Sequence, residues 1–374
     1  MPDVSAGLED VIAAASSICD VNGDEGTLSY RGYDIHDLAT FATFEEVAYL
    51  LWYGNLPNAE QLRGLADGLA ADRELPPEIP AILRSFPLYA MPMDVLRTVV
   101  SALASFDRNA CYYSREANFC KAMRLTAQIP AVVAAYQRIR TGQEVVPPDP
   151  NLHQAANFLY TLRGEYPDEV AARAFDIALI LHADHELNAS TFAARVSAAT
   201  QADMYSAITA AIGTLAGPLH GGANQRVMEM LEEIGEVENV EPYMKKAFAE
   251  RKRIMGFGHR VYNTEDPRAT HLRRMSRELG ERAGNLKWYE MSRQIEEIVK
   301  REKGLYPNVD FYSASTYAYL GIPPDLFTPV FACSRIAGWT AHVMEQYANN
   351  RLIRPRAEYV GPRHLAFVPL ADRK

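Results

Sequence analysis

From Thr43 onward, apolar residues return every three to four positions in one segment after another: 43–53, 59–75, 93–106, 125–141, 151–162, 168–182, 204–215, 224–234 and 240–254. That period marks helices that each bury one face. Strand and helix never alternate along the chain, which argues against a doubly wound parallel sheet and leaves helix packed on helix to close the core. The first segment carries its own punctuation. Thr43 and Glu46 have the spacing of a capping box, and Gly54 with Pro57 beyond it reads as a stop. Ahead of it, 18–33 reads as short strands around turns, with Asn22-Gly23 a hairpin signal and Gly26 and Gly32 as further breaks. The expected fold is mainly α with a small N-terminal β element.

Three islands interrupt this helical background: Gly217-Pro218-Leu219-His220-Gly221-Gly222-Ala223-Asn224, Gly256-Phe257-Gly258-His259-Arg260 and Pro307-Asn308-Val309-Asp310-Phe311. Each sets one titratable residue among glycines or prolines, where the backbone can leave regular geometry and approach a ligand. Taken singly, each has a plainer explanation. A histidine beside glycine often ends a helix, and Pro-Asn-x-Asp is a turn or an N-cap. Taken together, two imidazoles and a carboxylate are the minimum set for moving protons at neutral pH, so His220, His259 and Asp310 are read as one active site.

The 374 residues are 48% apolar and 23% charged, long enough for two compact domains and too apolar for disorder. A formal net charge of −9 argues against nucleic acid as the main partner, while local basic clusters remain able to hold a phosphorylated small molecule. Cys19, Cys111, Cys120 and Cys333 have neither disulfide-framework nor zinc spacing. The opening Met1-Pro2-Asp3-Val4 has no basic, apolar leader pattern, and no apolar run reaches the roughly 18 residues that span a bilayer. A soluble, cytoplasmic protein is expected. Pro147-Pro148-Asp149-Pro150 is followed by the same helical pattern and is read as a loop within a domain. From about 221 to 320 the chain is richer in charge, with Lys245, Lys246, Arg251, Lys252 and Arg253 crowding towards the second island, and this span is read as a smaller domain.

Taken with His182-Ala183-Asp184-His185-Glu186, Asp266-Pro267-Arg268 and Arg351-Leu352-Ile353-Arg354-Pro355, the islands resemble the citrate synthase family, in its compact bacterial and archaeal form. The likeness runs from Gly26-Thr27-Leu28-Ser29-Tyr30-Arg31-Gly32-Tyr33 to Tyr359-Val360-Gly361-Pro362. It implies a two-domain helical homodimer in which a large domain, 1–220 with 321–374, carries a small domain, 221–320, that closes over the substrates. It implies that oxaloacetate and acetyl-CoA condense, that the citryl thioester is hydrolysed to citrate and CoA, and that neither metal nor redox cofactor takes part. A dimer without the NADH-response region of larger bacterial relatives is also implied.

Carried over by motif, Asp310 removes a proton from the acetyl methyl, His220 donates a hydrogen bond to the thioester carbonyl, and His259 polarises the keto oxygen of oxaloacetate. The resemblance places the dianion on His185, Arg268, Arg335 and Arg354, with Arg354 reaching into the partner subunit's site. Guanidinium forks suit carboxylates because they bond in pairs. Arg335 stands in a helical run with Phe331, Ile336 and Trp339, an apolar setting where an unpaired cation is costly and a bound anion attractive. CoA is placed on the backbone of Ile254, Met255, Gly256, Phe257 and Gly258, with Arg251, Lys252, Arg253 and Arg260 available for phosphates. Asn263 stands where many relatives have lysine, and Ala314 where glycine is common.

Other readings compete. 2-Methylcitrate synthase uses the same groups on propionyl-CoA, whose extra methylene changes pocket discrimination by only about 1–3 kcal/mol. A metal-dependent hydrolase could use His182, Asp184, His185 and Glu186 as ligands, but leaves His220 and His259 unexplained. Gly256-x-Gly258 lacks the third glycine and the preceding strand of a dinucleotide site.

Overall fold

A computed structural model describes residues 5–8 and 11–373, so the 1–4 opening lies outside the described residues. Among them are sixteen α-helices and one antiparallel sheet, in which β1 (Cys19–Asn22), β2 (Thr27–Tyr30) and β3 (Tyr33–Asp34) pair in that order. The expected mainly α fold with a small N-terminal β element is what forms. No helix among the described residues is long and apolar enough to cross a membrane.

Local chemistry explains where the elements start and stop. In helix Phe44–Tyr53 the Thr43 hydroxyl accepts the Glu46 N–H at 3.3 Å, and the Glu46 carboxylate accepts the Thr43 N–H at 2.7 Å, the reciprocal cap read from the sequence. The β1–β2 connection is a four-residue turn, since Asn22 pairs with Thr27 across the ladder. The Asn22 side chain spends its carbonyl on the Asp24 and Glu25 N–H groups, both at 3.1 Å, which stabilises that longer turn.

Two helices depart most from their periodic segments. The 125–141 segment belongs to helix Arg115–Arg140, capped by Ser114 and continuous through Pro130. Proline has no N–H, so the Thr126 carbonyl loses its helical donor. Gln154 replaces it, donating to Thr126 O at 3.1 Å while its own carbonyl accepts Arg73 Nε at 3.1 Å. The 240–254 segment stops early, as helix Val240–Ala249. Beyond it the Lys252 N–H folds back onto Ala247 O at 2.8 Å, and Arg251 takes a φ of 54°. The charged run 251–253 is exposed and offers no apolar face for another turn to bury.

The core gathers around helix Phe327–Ala348, which is buried along most of its length and contacts helices Phe44–Tyr53, Arg115–Arg140, Glu169–His182, Ala189–Ala199 and Met204–Leu215. Its polar groups are matched to these neighbours. Trp52 Nε1 donates to Thr340 Oγ1 at 2.9 Å, Ser334 donates to Leu179 O, and Trp339 Nε1 donates to Ser190 Oγ at 3.1 Å. The helices Ala223–Ile234, Val240–Ala249, Pro267–Arg282, Lys287–Lys303 and Val309–Tyr319 pack on one another.

Gln154→Leu conserves volume but leaves Thr126 O and Arg73 Nε without their partner, while Arg73 Nη1 keeps Asp149 O. It is expected to lower unfolding free energy by about 1–3 kcal/mol, read as a lower urea midpoint with an unchanged slope.

Candidate active site

The second and third islands are stitched together by backbone. Gly258 N–H donates to Tyr306 O at 3.0 Å, Asn308 N–H to Gly256 O at 2.9 Å, and the Asn308 side-chain amide to Gly258 O at 2.9 Å. Gly256 allows this approach. Its φ is 81°, and a Cβ there would lie 2.8 Å from Val227 Cγ2 and 2.9 Å from Phe311 Cβ. Asn308 then caps helix Val309–Tyr319, accepting the Asp310 N–H at 3.0 Å, so Asp310 stands in the helix's first turn. The first island lies between helices Met204–Leu215 and Ala223–Ile234. Arg226 secures it, donating from Nη2 to Pro218 O at 2.8 Å and Gly221 O at 3.2 Å.

Backbone amides choose the tautomers of both island histidines. Val261 N–H and Tyr262 N–H point at His259 Nδ1, at 3.0 and 3.2 Å, and an amide can only donate. Nδ1 is therefore bare and the proton sits on Nε2. His220 is the converse: the Ser190 N–H points at its Nε2 at 3.4 Å, with Ser190 Oγ 2.8 Å away. The amide contact, with the Ser190 hydroxyl proton turned to the ring rather than to Asn188 Oδ1 at 2.8 Å, suits a bare Nε2 and a proton on Nδ1. Burial, helped by the charge of Arg335 at His220 and of Arg268 at His259, holds each imidazole down at about 4, so both are neutral at pH 7. His185 is buried against Tyr262, whose hydroxyl is 3.2 Å from its Nε2, and its ring centroid is 5.2 Å from that of His259. Burial, then the charge of Arg268, keeps it neutral too.

The arginines divide sharply. Arg268 is buried, and its Nε and Nη2 grip Asp266 at 2.9 and 2.7 Å, while Asp266 caps helix Pro267–Arg282 and accepts the Val309 N–H at 3.2 Å. Arg335 is only 2% exposed and has no carboxylate within ion-pair distance among the described residues. Its Nε donates to His182 O at 2.7 Å, and its guanidinium lies 4.5 Å from the centre of the Phe331 ring. Burial lowers its pKa from the ordinary arginine value. The charge of Asp184 acts on it from beyond ion-pair distance, and a buried guanidinium without a direct ion pair is a favourable setting for an added anion.

Asp310 lies in the field of both arginines. Its carboxylate accepts no hydrogen bond from the described residues, and burial pushes it up to about 6 against the pull of Arg268 and Arg335. The charge of Arg335 also acts on His220 and His185, and that of Arg268 on His185 and His259. His220, His259, Asp310, His185, Arg268 and Arg335 thus share one electrostatic neighbourhood.

Arg354 is not part of that group within this chain. It is exposed in the C-terminal segment, where residues 351–369 form no regular element. Ile254 to Gly258 run along the rim as loop, and Lys252 is held by Glu233 at 3.1 Å. Lys245 and Lys246 pair with Glu241 and Glu250. Asn263 is also engaged, donating to Asp24 Oδ1 at 2.7 Å. The residues weighed as metal ligands turn to separate partners: His182 to Ala178 O at 2.8 Å, Asp184 to His342 at 3.3 Å, and His185 to Tyr262. Gly256-x-Gly258 follows a helix and a loop, and Phe257 bridges to Pro307. Ser190, Tyr262 and Arg226 were not foreseen. Their only trace in sequence is proximity to a cap or an island, as in Asn188-Ala189-Ser190-Thr191, where Asn188 caps helix Ala189–Ala199.

With this geometry in view, likeness to known proteins becomes informative. The family profile described as citrate synthase, C-terminal domain, matches residues 7–356. The chain is 56% identical to citrate synthase 2 of Bacillus subtilis over 98% of each chain. It is 43% identical to 2-methylcitrate synthase 1 of Corynebacterium glutamicum, over 99% of this chain and 98% of that one. Among solved structures, citrate synthase from the archaeon Thermoplasma acidophilum, in ternary complex with carboxymethyl coenzyme A and oxaloacetate, superposes with a TM-score of 0.93 at 34% identity, over 99% of this chain and 100% of that one. Matches of this extent, on a helical fold that gathers all three islands, mean that the chain belongs to the citrate synthase family.

Proposed function

We propose that this protein is a citrate synthase, condensing acetyl-CoA with oxaloacetate and hydrolysing citryl-CoA to citrate and CoA. The observation that carries the reading is Arg335, a buried guanidinium with no ion-pair partner among the described residues, in the same electrostatic neighbourhood as Asp310 and two neutral histidines. Oxaloacetate, a small dianion, supplies the missing negative charge. Arg268 offers it the remaining edge of its fork, and His185 a neutral donor beside them.

The proton inventory fits the condensation. Asp310 takes a proton from the methyl group of the thioester. His220 donates Nδ1–H to the thioester oxygen as negative charge moves onto it, and His259 donates Nε2–H to the keto oxygen as the new carbon–carbon bond forms. Bringing two substrates into register contributes on the order of 7–11 kcal/mol more. The loop 254–258 provides backbone for CoA, with Arg251 and Arg253 near it for phosphates. Residues 221–320 act as a small domain that closes on the large one. The working unit is a cytoplasmic homodimer in which Arg354 completes the partner subunit's site, and no metal or redox cofactor takes part.

The 2-methylcitrate alternative is separated by one assay: initial rates of CoA thiol release with oxaloacetate and either acetyl-CoA or propionyl-CoA, without added metal. A higher kcat/KM for acetyl-CoA is expected, and the reverse preference would move the protein to 2-methylcitrate synthesis. Since Asp310 acts ionised and the histidines are already neutral above about 4, the acid limb of kcat/KM for the thioester should fall near pH 6. A limb near pH 4 would contradict the upward shift of Asp310 by burial.

Asp310→Asn should abolish condensation yet stabilise the fold at pH 7. The sign follows from burial. Well below 3.8 the carboxyl is protonated both folded and unfolded and nothing is lost, whereas above about 6 the folded chain holds a buried charge that the unfolded chain solvates. Normal turnover in Asp310→Asn, or a lower urea midpoint at pH 7, would contradict this. Arg335→Met should remove oxaloacetate binding, measured calorimetrically, while leaving the urea midpoint equal or higher, because it removes an unpaired buried charge.

A further inference from the structure

We propose that the β1–β2 turn is a positioning element for His259: Gly23 and Asp24 hold the loop whose backbone amides fix that imidazole. This rests on the reading of His259 as the group that polarises the keto substrate. Residues 259–264 form no helix or strand, so neighbours must set their course. Val261 and Tyr262 point their N–H groups at His259 Nδ1, and two residues from the first of them the loop is tied to the turn. Asn263 N–H donates to Gly23 O at 3.0 Å, and its side-chain amide donates to Asp24 Oδ1 at 2.7 Å. Asn263 thus has a partner of its own within the chain.

The contact is close enough to act as a gauge. A Cβ on Gly23 would lie 1.9 Å from Val261 O and 2.7 Å from its carbonyl carbon, a collision of side chain with backbone. Gly23 does not have a positive φ, so the hairpin itself would accept alanine. The glycine is needed for what lies opposite, which is the peptide following Val261. That peptide carries the Tyr262 N–H, one of the two donors on His259. On its other side the loop is anchored through Gly258, which donates to Tyr306 O and accepts from the Asn308 side chain. His259 therefore sits between two fixed points, one at the Asp310 helix cap and the other at the hairpin tip.

The turn acts through the loop and touches no substrate, so the test separates placement from folding. Gly23→Ala wedges the loop, and Asp24→Ala removes one exposed hydrogen bond. A displacement of about 1 Å at a catalytic group costs about 100-fold, so Gly23→Ala should lose up to that in kcat and Asp24→Ala less, roughly tenfold or below. The KM for acetyl-CoA should stay as in the unmodified chain in both, and the urea midpoint should stay unchanged in Asp24→Ala, whereas Gly23→Ala, which forces a side chain against backbone, should lower it. Asp24→Asn keeps a carbonyl acceptor and should restore most of the kcat lost in Asp24→Ala. An unchanged kcat in Gly23→Ala would overturn the proposal. So would a loss in Asp24→Ala that accompanies a lower urea midpoint, or a failure of Asp24→Asn to restore rate. His259→Ala is measured alongside. Full turnover there would remove the role of His259 and this inference with it, whereas an inactive His259→Ala beside a fully active Gly23→Ala would overturn the inference alone.

Discussion

A guanidinium held in the core with no carboxylate in ion-pair contact among the described residues is the constraint from which the rest of the site follows. Arg335 grows from the most enclosed helix, Phe327–Ala348, and its Nε is spent on the carbonyl of His182 at the end of helix Glu169–His182. Removing such a charge from water costs several kcal/mol, and neither the carbonyl nor the Phe331 ring offsets all of that. The surrounding core must supply the difference. It does so by matching nearly every other polar group along that helix to a neighbour, as with Trp52, Ser334 and Trp339. The deficit at one residue is tolerable because the same helix is so thoroughly satisfied elsewhere.

That retained positive charge orders the titrations around it. Together with burial it keeps His220 neutral, it adds to burial and Arg268 at His185, and it offsets part of the burial that raises Asp310. Arg268 plays the same part for His259 but is balanced by Asp266, whose other contacts cap helix Pro267–Arg282 and reach the Val309 N–H. One arginine is thus neutralised by the architecture and the other is left for a ligand. A site with both paired would have no need of an anion, and one with neither paired would be far harder to keep folded.

Much of this was legible in the sequence, for reasons that differ by element. The cap at Thr43 and Glu46 is local and forms as read, because a reciprocal pair of hydrogen bonds needs no distant partner. Helix Met204–Leu215 also has the bounds its periodicity predicts, between the Asp203 cap and the turn into Gly217. The 240–254 reading overran because Ile254 keeps the helical period by position alone, after a run of exposed charge. The 125–141 reading ran through Pro130 as the helix does and missed only its first turns, 115–124, after the Ser114 cap; the donor that Pro130 lacks is replaced from Gln154, a residue no local pattern connects to it. The islands gave His220, His259 and Asp310, but not the Ser190 and Val261 amides that choose the tautomers. Backbone donors carry no residue-type signal, so only the folded chain reveals them.

The two histidines show why a backbone device is preferable to a side-chain one here. A carboxylate behind either imidazole would orient it equally well but would favour the charged form, raising its pKa towards or above neutrality. An amide N–H directed at one ring nitrogen does the opposite, since it can pair only with a bare nitrogen and loses its acceptor when that nitrogen is protonated. Orientation and neutrality then come from the same contact. The requirement falls on loop geometry instead: the segment after Gly258 and the turn before helix Ala189–Ala199 must present their amides in register with the rings. Glycine at Gly256, close against Phe311 of the helix that carries Asp310, and the cap at Asn188, at the start of the helix that carries Ser190, are the local means of doing so.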